Sequence, residues 1–353
     1  MKLRNLLIVF LSIIMLGVAD HADAQRNKYK KRRKTSRNVS RYNGNIRGSG
    51  RFQPYFFLGG AVNAGNYFGD LAPTSNAAST DISFTRPGFG FYGGYKFHHT
   101  FAVRGGINWV RVFGDDFSAD PNSDADAARF ARNLSFRNDI KEFQLGIEIY
   151  LLPNYGGPNR RLPLNAYLFV GGAVFHHEPM GLVPDFDYQA EGLNATTPAP
   201  QAGEWVKLRE LETEGVSYSN IDFSIPISVG AKMRLPGTPL DVGIEFGIRY
   251  LFTDYIDDVS DRYVDLNSFD NDLARIMSDR SSVPVSSKGD SRNLTANDVV
   301  LFDGFYRERI AGIGAGREGA KRGNPDSDDL IFMTQLKLTY VLGGVIRRRA
   351  KYR

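Results

Sequence analysis

The sequence predicts an all-β protein, an antiparallel eight-stranded transmembrane β-barrel with long extracellular loops. Three observations lead there: strictly alternating segments longer than a sandwich strand, connections that switch between long and short, and an export signal on a chain without a helix-length apolar span. Successive side chains of an extended strand point to opposite faces. Asp241 to Thr253 puts Val242, Ile244, Phe246, Ile248, Tyr250 and Phe252 on one face and Asp241, Gly243, Glu245, Gly247 and Arg249 on the other. A sandwich strand runs about 5 to 6 residues, whereas a membrane barrel strand needs about 9 to 11. The length selects the barrel.

The same period defines the remaining walls in chain order. Tyr55 to Phe68 directs Phe56, Leu58, Val62 and Ala64 outward and is expected to end at an interfacial aromatic level with Tyr67 and Phe68. Gly88 to Phe97 directs Phe89, Phe91, Tyr95 and Phe97 outward, and His98-His99 turns the chain into Phe101 to Phe113. Asn138 to Leu152, Leu164 to Phe175, Asn220 to Leu235 and Leu330 to Leu342 complete the set, with the short Pro236-Gly237-Thr238-Pro239 joining the sixth and seventh strands. Connections then run long, short, long, short, long, short, long, which is the order of outer loops and periplasmic turns. Trp205 to Leu211 and Val299 to Phe302 are two further short segments able to pair as extra strands and raise the count to ten.

Residues 1–24 read as a signal peptide: Lys2 and Arg4, an apolar run from Leu6 to Val18, and Ala22-Asp23-Ala24 as the cleavage site. Residues 25–51 form a basic arm without a single acidic residue, residues 52–343 the barrel, and residues 344–353 a basic tail on the arm's side of the membrane. Setting aside the two basic and two acidic residues of 1–24 and the eleven basic ones of 25–51 leaves 31 basic against 37 acidic, a balance of −6 where the whole chain has +5. The basic character belongs to the arm. An exported arm has no nucleic acid to meet. Its expected partners are anionic lipid or an acidic protein, through Lys30, Lys31, Arg32, Arg33, Lys34 and Arg37. The alternative is a disordered, solvated leader.

The expected location is the bacterial outer membrane, in contact with its lipid. Eight strands enclose only enough room for side chains. Arg104, Glu148, Lys232, Glu245, Arg249 and Lys337 fall on the inward parity and are expected to pair there, since an unpaired buried charge costs several kcal/mol.

With no cysteine in the chain, thiol nucleophiles, disulfides and thiolate metal sites are excluded. No cofactor and no catalytic residue is expected. His176 with Asp115-Asp116 at the outer rim is the nearest approach to a hydrolytic group. The carboxylates Asp254, Asp257, Asp258, Asp261, Asp265, Asp270 and Asp272 lack the spacing of a calcium loop and read as a solvated outer loop. Gly312-Ile313-Gly314-Ala315-Gly316 stands outside any strand-to-helix unit and reads as a loop tip.

Four stretches carry a resemblance: Asn66-Tyr67-Phe68-Gly69-Asp70-Leu71, Arg86-Pro87, Gly114-Asp115-Asp116, and Arg132-Asn133-Leu134-Ser135-Phe136-Arg137-Asn138 leading into Glu142. Over roughly Arg51 to Gly181 the chain resembles the small outer-membrane barrels related to PorG, which are associated with the type IX secretion machinery. That resemblance implies a non-enzymatic barrel docking onto a periplasmic secretion-ring protein, and it brings over no binding residue. The residues themselves also allow an OmpX-like outer-surface adhesion barrel acting through its long loops.

Overall fold

Apolar, β-branched and aromatic side chains on one parity, with glycine, polar and charged residues on the other, hold the backbone extended in ten segments. The computed structural model describes residues 52–71, 85–119, 127–185, 201–281, 283, 285–292, 319, 321–325 and 329–344. The strands are β1 (Tyr55–Phe68), β2 (Arg86–Lys96), β3 (Phe101–Asp115), β4 (Ser135–Tyr150), β5 (Leu164–His176), β6 (Pro179–Leu182), β7 (Trp205–Lys207), β8 (Ile221–Arg234), β9 (Leu240–Leu251) and β10 (Leu330–Val341). Two short helices, α1 (Ala127–Arg132) and α2 (Asp272–Ser278), lie in the connections.

Eight of these strands close on themselves. Consecutive neighbours pair antiparallel from β1 through β5, then β8, β9 and β10. β10 returns to β1 from Phe57 opposite Val341 to Phe68 opposite Leu330. The connections 69–85, 116–134, 177–220 and 252–329 leave one end, and the turns 97–100, 151–163 and 235–239 leave the other.

β6 and β7 are not walls. Met180 of β6 sits opposite Arg137, so β6 extends the sheet above the outer end of β4, and β7 pairs with β6 alone. Trp205–Lys207 is therefore an extra strand, as one sequence alternative allows, but its partner is Pro179–Leu182 and it adds nothing to the wall count. Val299 to Phe302 lies outside the described residues.

The alternation sorts the two surfaces. Phe56, Val62, Phe89, Phe91, Phe143, Phe223 and Leu336 are each more than half exposed, and they form a continuous apolar exterior with their neighbours of the same parity. An exterior of that size is tolerated only against lipid. Arg104, Glu148, Glu245 and Arg249 on the opposite parity are buried.

Inward glycines make room for inward aromatics. The Tyr167 ring lies across Gly230, where an added Cβ would stand 2.5 Å from its Cζ, and Tyr92 lies across Gly59 in the same way at 2.6 Å.

One expectation is corrected here. Tyr67 is not an interfacial anchor: it is 3% exposed, turned inward at the top of β1, with its hydroxyl bonded inside the barrel mouth. Its parity along β1 is that of Asn63 and Phe57, both buried.

Gly230→Val should drive Tyr167 from its seat and break the 2.6 Å bond from its hydroxyl to Glu245. Overpacking of this kind costs about 1–3 kcal/mol. Unfolding of the micelle-bound barrel by denaturant should show that loss, and an unchanged midpoint would contradict the seating.

Candidate functional site

Two polar constellations stand out, one inside the barrel and one above it. In the lower lumen, Arg104 Nη1 reaches Glu148 and Glu245, each at 2.7 Å, and its Nη2 reaches Glu245 at 3.0 Å. Lys232 Nζ donates to both Glu148 oxygens at 3.0 and 2.8 Å, and Lys337 Nζ donates to Glu245 at 2.6 Å. Tyr150 and Tyr167 donate their hydroxyls to Glu148 and Glu245 at 2.6 Å each. Lys96 adds a further cation, its Nζ 3.5 Å from the centre of the Tyr150 ring. Two carboxylates thus face four cations, and the faces of Tyr92, Tyr150, Tyr167 and Phe169 take up the surplus.

All six lumen residues named from sequence are buried inside the barrel. Five form the lower plug, while Arg249 stands higher, its Nε 3.4 Å from Glu142. Sequence reading overlooked the three tyrosines. Their inward parity was the available signal, but an aromatic residue in a barrel strand is more readily assigned to the lipid face.

Above the lumen the described parts of the long connections fold into a cap. Leu71, Leu134, Val183, Val206, Leu208, Ile256, Val259, Ile276, Met277 and Val283 form one buried cluster with the upper barrel residues Val112, Phe136, Phe175 and Ile331. The cap core is continuous with the barrel core.

A buried polar latch fixes this cap to the rim. Asp116 accepts from Arg132 Nε at 2.7 Å and Nη2 at 2.8 Å, and from the Leu134 amide at 3.1 Å. Arg132 also donates to the carbonyls of Arg322 and Asp70, at 2.6 and 2.7 Å. Arg322 in turn donates to Glu214 at 2.8 Å and to the Asp258 carbonyl at 2.5 Å. Asn133, with φ of 59°, donates to the carbonyls of Arg280 and Val285. Asn138 donates to Ile256 O at 2.8 Å and accepts from Glu178 N at 2.9 Å. All four long connections meet in these bonds.

Three of the four stretches on which the resemblance rests, Asn66 to Leu71, Gly114 to Asp116 and Arg132 to Asn138, supply the rim side of the latch. They build the cap's foundation.

Of the carboxylates after β9, Asp261, Asp265 and Asp270 are exposed as a solvated loop requires, whereas Asp257 and Asp258 depart from that expectation. Asp257 and Asp258 are 0% and 2% exposed. Asp258 accepts from Thr213 and Tyr218 at 2.5 and 2.6 Å. Asp257 accepts from the amides of Leu71 and Val259 at 3.0 Å each. The Tyr67 hydroxyl stands 2.7 Å from Asp257 Oδ2 and 2.5 Å from Asp329 Oδ1. One hydroxyl proton cannot serve both oxygens, so one carboxyl must itself carry a proton and donate it. Burial pushes Asp257 up to about 8, with Asp70 adding to it, and burial together with Asp257 holds Asp329 well above the usual carboxylate range.

The remaining sequence candidates separate. Asp116 is bound to Arg132, whereas His176 Nε2 meets Asn220 at 3.3 Å and His177 Nε2 meets Asp222 at 3.2 Å. Residues 25–51, with Lys30, Lys31, Arg32, Arg33, Lys34 and Arg37, lie outside the described residues, as do Gly312 to Gly316 and the tail beyond Gly344.

The wall, sealed within and apolar without, can stand only in lipid. The chain is a small β-barrel of the bacterial outer membrane, with its long connections on the outer side.

No family model matches the chain, and no curated protein sequence does. Among solved structures, Ail, the attachment invasion locus protein of Yersinia pestis, is similar over 83% of this chain and 99% of its own, with 7% identity and a TM-score of 0.32. Ail in complex with the heparin analogue sucrose octasulfate gives 82% and 97%, with 7% identity and a TM-score of 0.31. Neisserial surface protein A gives 82% and 98%, with 8% identity and a TM-score of 0.31. The fold assignment rests on the strand pairings.

The latch sets a pH dependence. Asp257 and Asp329 are raised in the folded state, so that state binds more protons than the unfolded chain, and stability is lost as pH rises from about 4 to about 8. The shared proton gives a slope of up to ~1.4 kcal/mol per pH unit. Thermal unfolding of the purified barrel should fall in midpoint across that window, and Asp257→Asn should flatten the fall. A midpoint that rises with pH would contradict the shared proton.

Proposed function

We propose that this chain is an outer-surface barrel that works by presenting its folded cap to an extracellular partner rather than by conducting solutes. One observation carries the reading: the described parts of the connections on the outer side share a buried core and a latch of charged hydrogen bonds with the rim. Loops that served only to join strands would need neither. The salt-bridged plug beneath the cap agrees with a barrel that holds its cap rigidly and has no path through it. The cap offers a fixed surface, and fixed surfaces bind without an ordering cost.

A second reading keeps the docking role that the PorG-like resemblance implies, with a periplasmic ring of the type IX secretion machinery as the partner. Its support is topological. Phe57 pairs with Val341, so the basic arm before β1 and the basic tail after β10 both attach at the short-turn end, which is the periplasmic side.

Two deletions in intact cells separate the readings. One replaces 255–328 by a short turn and leaves β9 and β10 in place; the other removes 26–51. Crosslinking with a membrane-impermeant reagent should lose its surface adducts in the first variant and keep them in the second, with both still inserted. The reverse pattern, with a periplasmic adduct lost on removing 26–51, would overturn the cap reading in favour of docking.

A further inference from the structure

The apolar exterior is bordered by charge on β3 and β4. On the outward face of β3 and β4 its upper edge gives way to a cationic ladder: Trp109 stands opposite Lys141, Arg111 opposite Asp139, and Phe113 opposite Arg137. Arg111 is bound to Asp139 through two bonds of 2.5 and 2.7 Å. Arg137 lies over the Trp205 ring at 4.2 Å, meets no carboxylate at ion-pair distance among the described residues, and has a buried Nε without a partner. Lys141 is exposed and its side chain makes no bond among the described residues. Three cations and one carboxylate leave two positive charges uncompensated.

The chain has two tryptophans, and both are in this patch. Trp109 belongs to the wall and Trp205 reaches down from the cap hairpin. Tryptophan favours the headgroup level of a membrane, so the ladder stands where headgroups lie.

Below the ladder the apolar face is hollowed. A trough of about 530 Å³ runs between Phe89, Ile107, Trp109, Phe143 and Val174, with Lys141 at its edge. A second trough, of about 670 Å³, continues across β5, where Gly172 faces outward and an added Cβ would touch nothing within 4 Å. Both have the size of small-molecule sites, yet they lie on the lipid surface with their charged end uppermost. Apolar troughs under unpaired cations describe an amphiphile with an anionic head.

We infer that the outer face of β3, β4 and β5 holds a phosphate-bearing lipid of the outer leaflet, its acyl chains in the troughs and its phosphate between Lys141 and Arg137. A guanidinium matches phosphate oxygens in pairs, and lysine adds a point charge. Lys141 lines the first trough, so charge and chain can meet on one molecule. This site is independent of the cap's partner, because it faces the bilayer.

Native mass spectrometry of the full chain in non-ionic detergent tests this, with diphosphoryl lipid A, monophosphoryl lipid A and phosphatidylcholine as probes. Retention should fall in that order. Lys141→Ala combined with Arg137→Gln should weaken retention of the diphosphoryl lipid by about 30-fold, from the contribution of two basic residues at a charged surface. Lys207→Ala, which removes a cation already paired with Glu210 and Glu178, should leave it unchanged. High salt should weaken it in the unaltered chain, a reading that needs no variant to fold. Equal retention of phosphatidylcholine, or a double variant that binds like the parent, would overturn the site.

Discussion

A backbone in hydrocarbon has no water to bond, so each N–H and C=O in the bilayer must find its partner within the protein. Closure of β1 against β10 meets that demand here, and the rest of the structure follows from it. Once the sheet is closed, every strand has one face in lipid and one in a narrow interior. The period of two then fixes the chemistry of each position. Val242, Ile244 and Phe246 face lipid because they are apolar and of one parity; Gly243 and Glu245 face inward because they are of the other.

The interior inherits a problem from this closure. Arg104, Lys232, Lys337 and Lys96 are enclosed with two carboxylates, and the wall offers them no water. Tyrosine hydroxyls and ring faces complete the balance, with glycines such as Gly230 and Gly59 giving the rings room. The same logic operates above the rim, where Arg132 and Arg322 are buried and each is matched by a carboxylate and by carbonyls. Plug and cap use the same means, and between them lies an apolar layer of Val110, Val112, Ile140 and Phe175. Removing one member of such a group leaves its partner charged and buried, which is why single losses cost far more than the net worth of the pair.

The walls were legible in sequence because length and period are local properties. β1 has the bounds read from its residues, and the other seven walls differ by at most three residues at either end. The inward charges were legible for the same reason. What escaped lies at the ends of strands and beyond them. Tyr67 sits at a strand terminus, where an aromatic ring suits either an interface or a buried seat, and only the fold of residues far along the chain shows that Asp257 and Asp329 await its hydroxyl. Asp257 and Asp258 looked like loop carboxylates, because nothing local to them announces that Thr213, Tyr218 and Arg322 close over them. Trp205 has the composition of a strand, but its partner was set by the cap. Contacts across long sequence separations decide the cap, and no period encodes them.

The absence of cysteine permits the most direct test of the central claim. Single cysteines placed one at a time from Val242 to Arg249 can be spin-labelled in the reconstituted barrel and their access to dissolved oxygen compared with access to a water-soluble nickel complex. Oxygen access should peak at 242, 244, 246 and 248 and drop at the positions between. A profile that is flat, or that repeats every three to four residues, would contradict a lipid-facing strand.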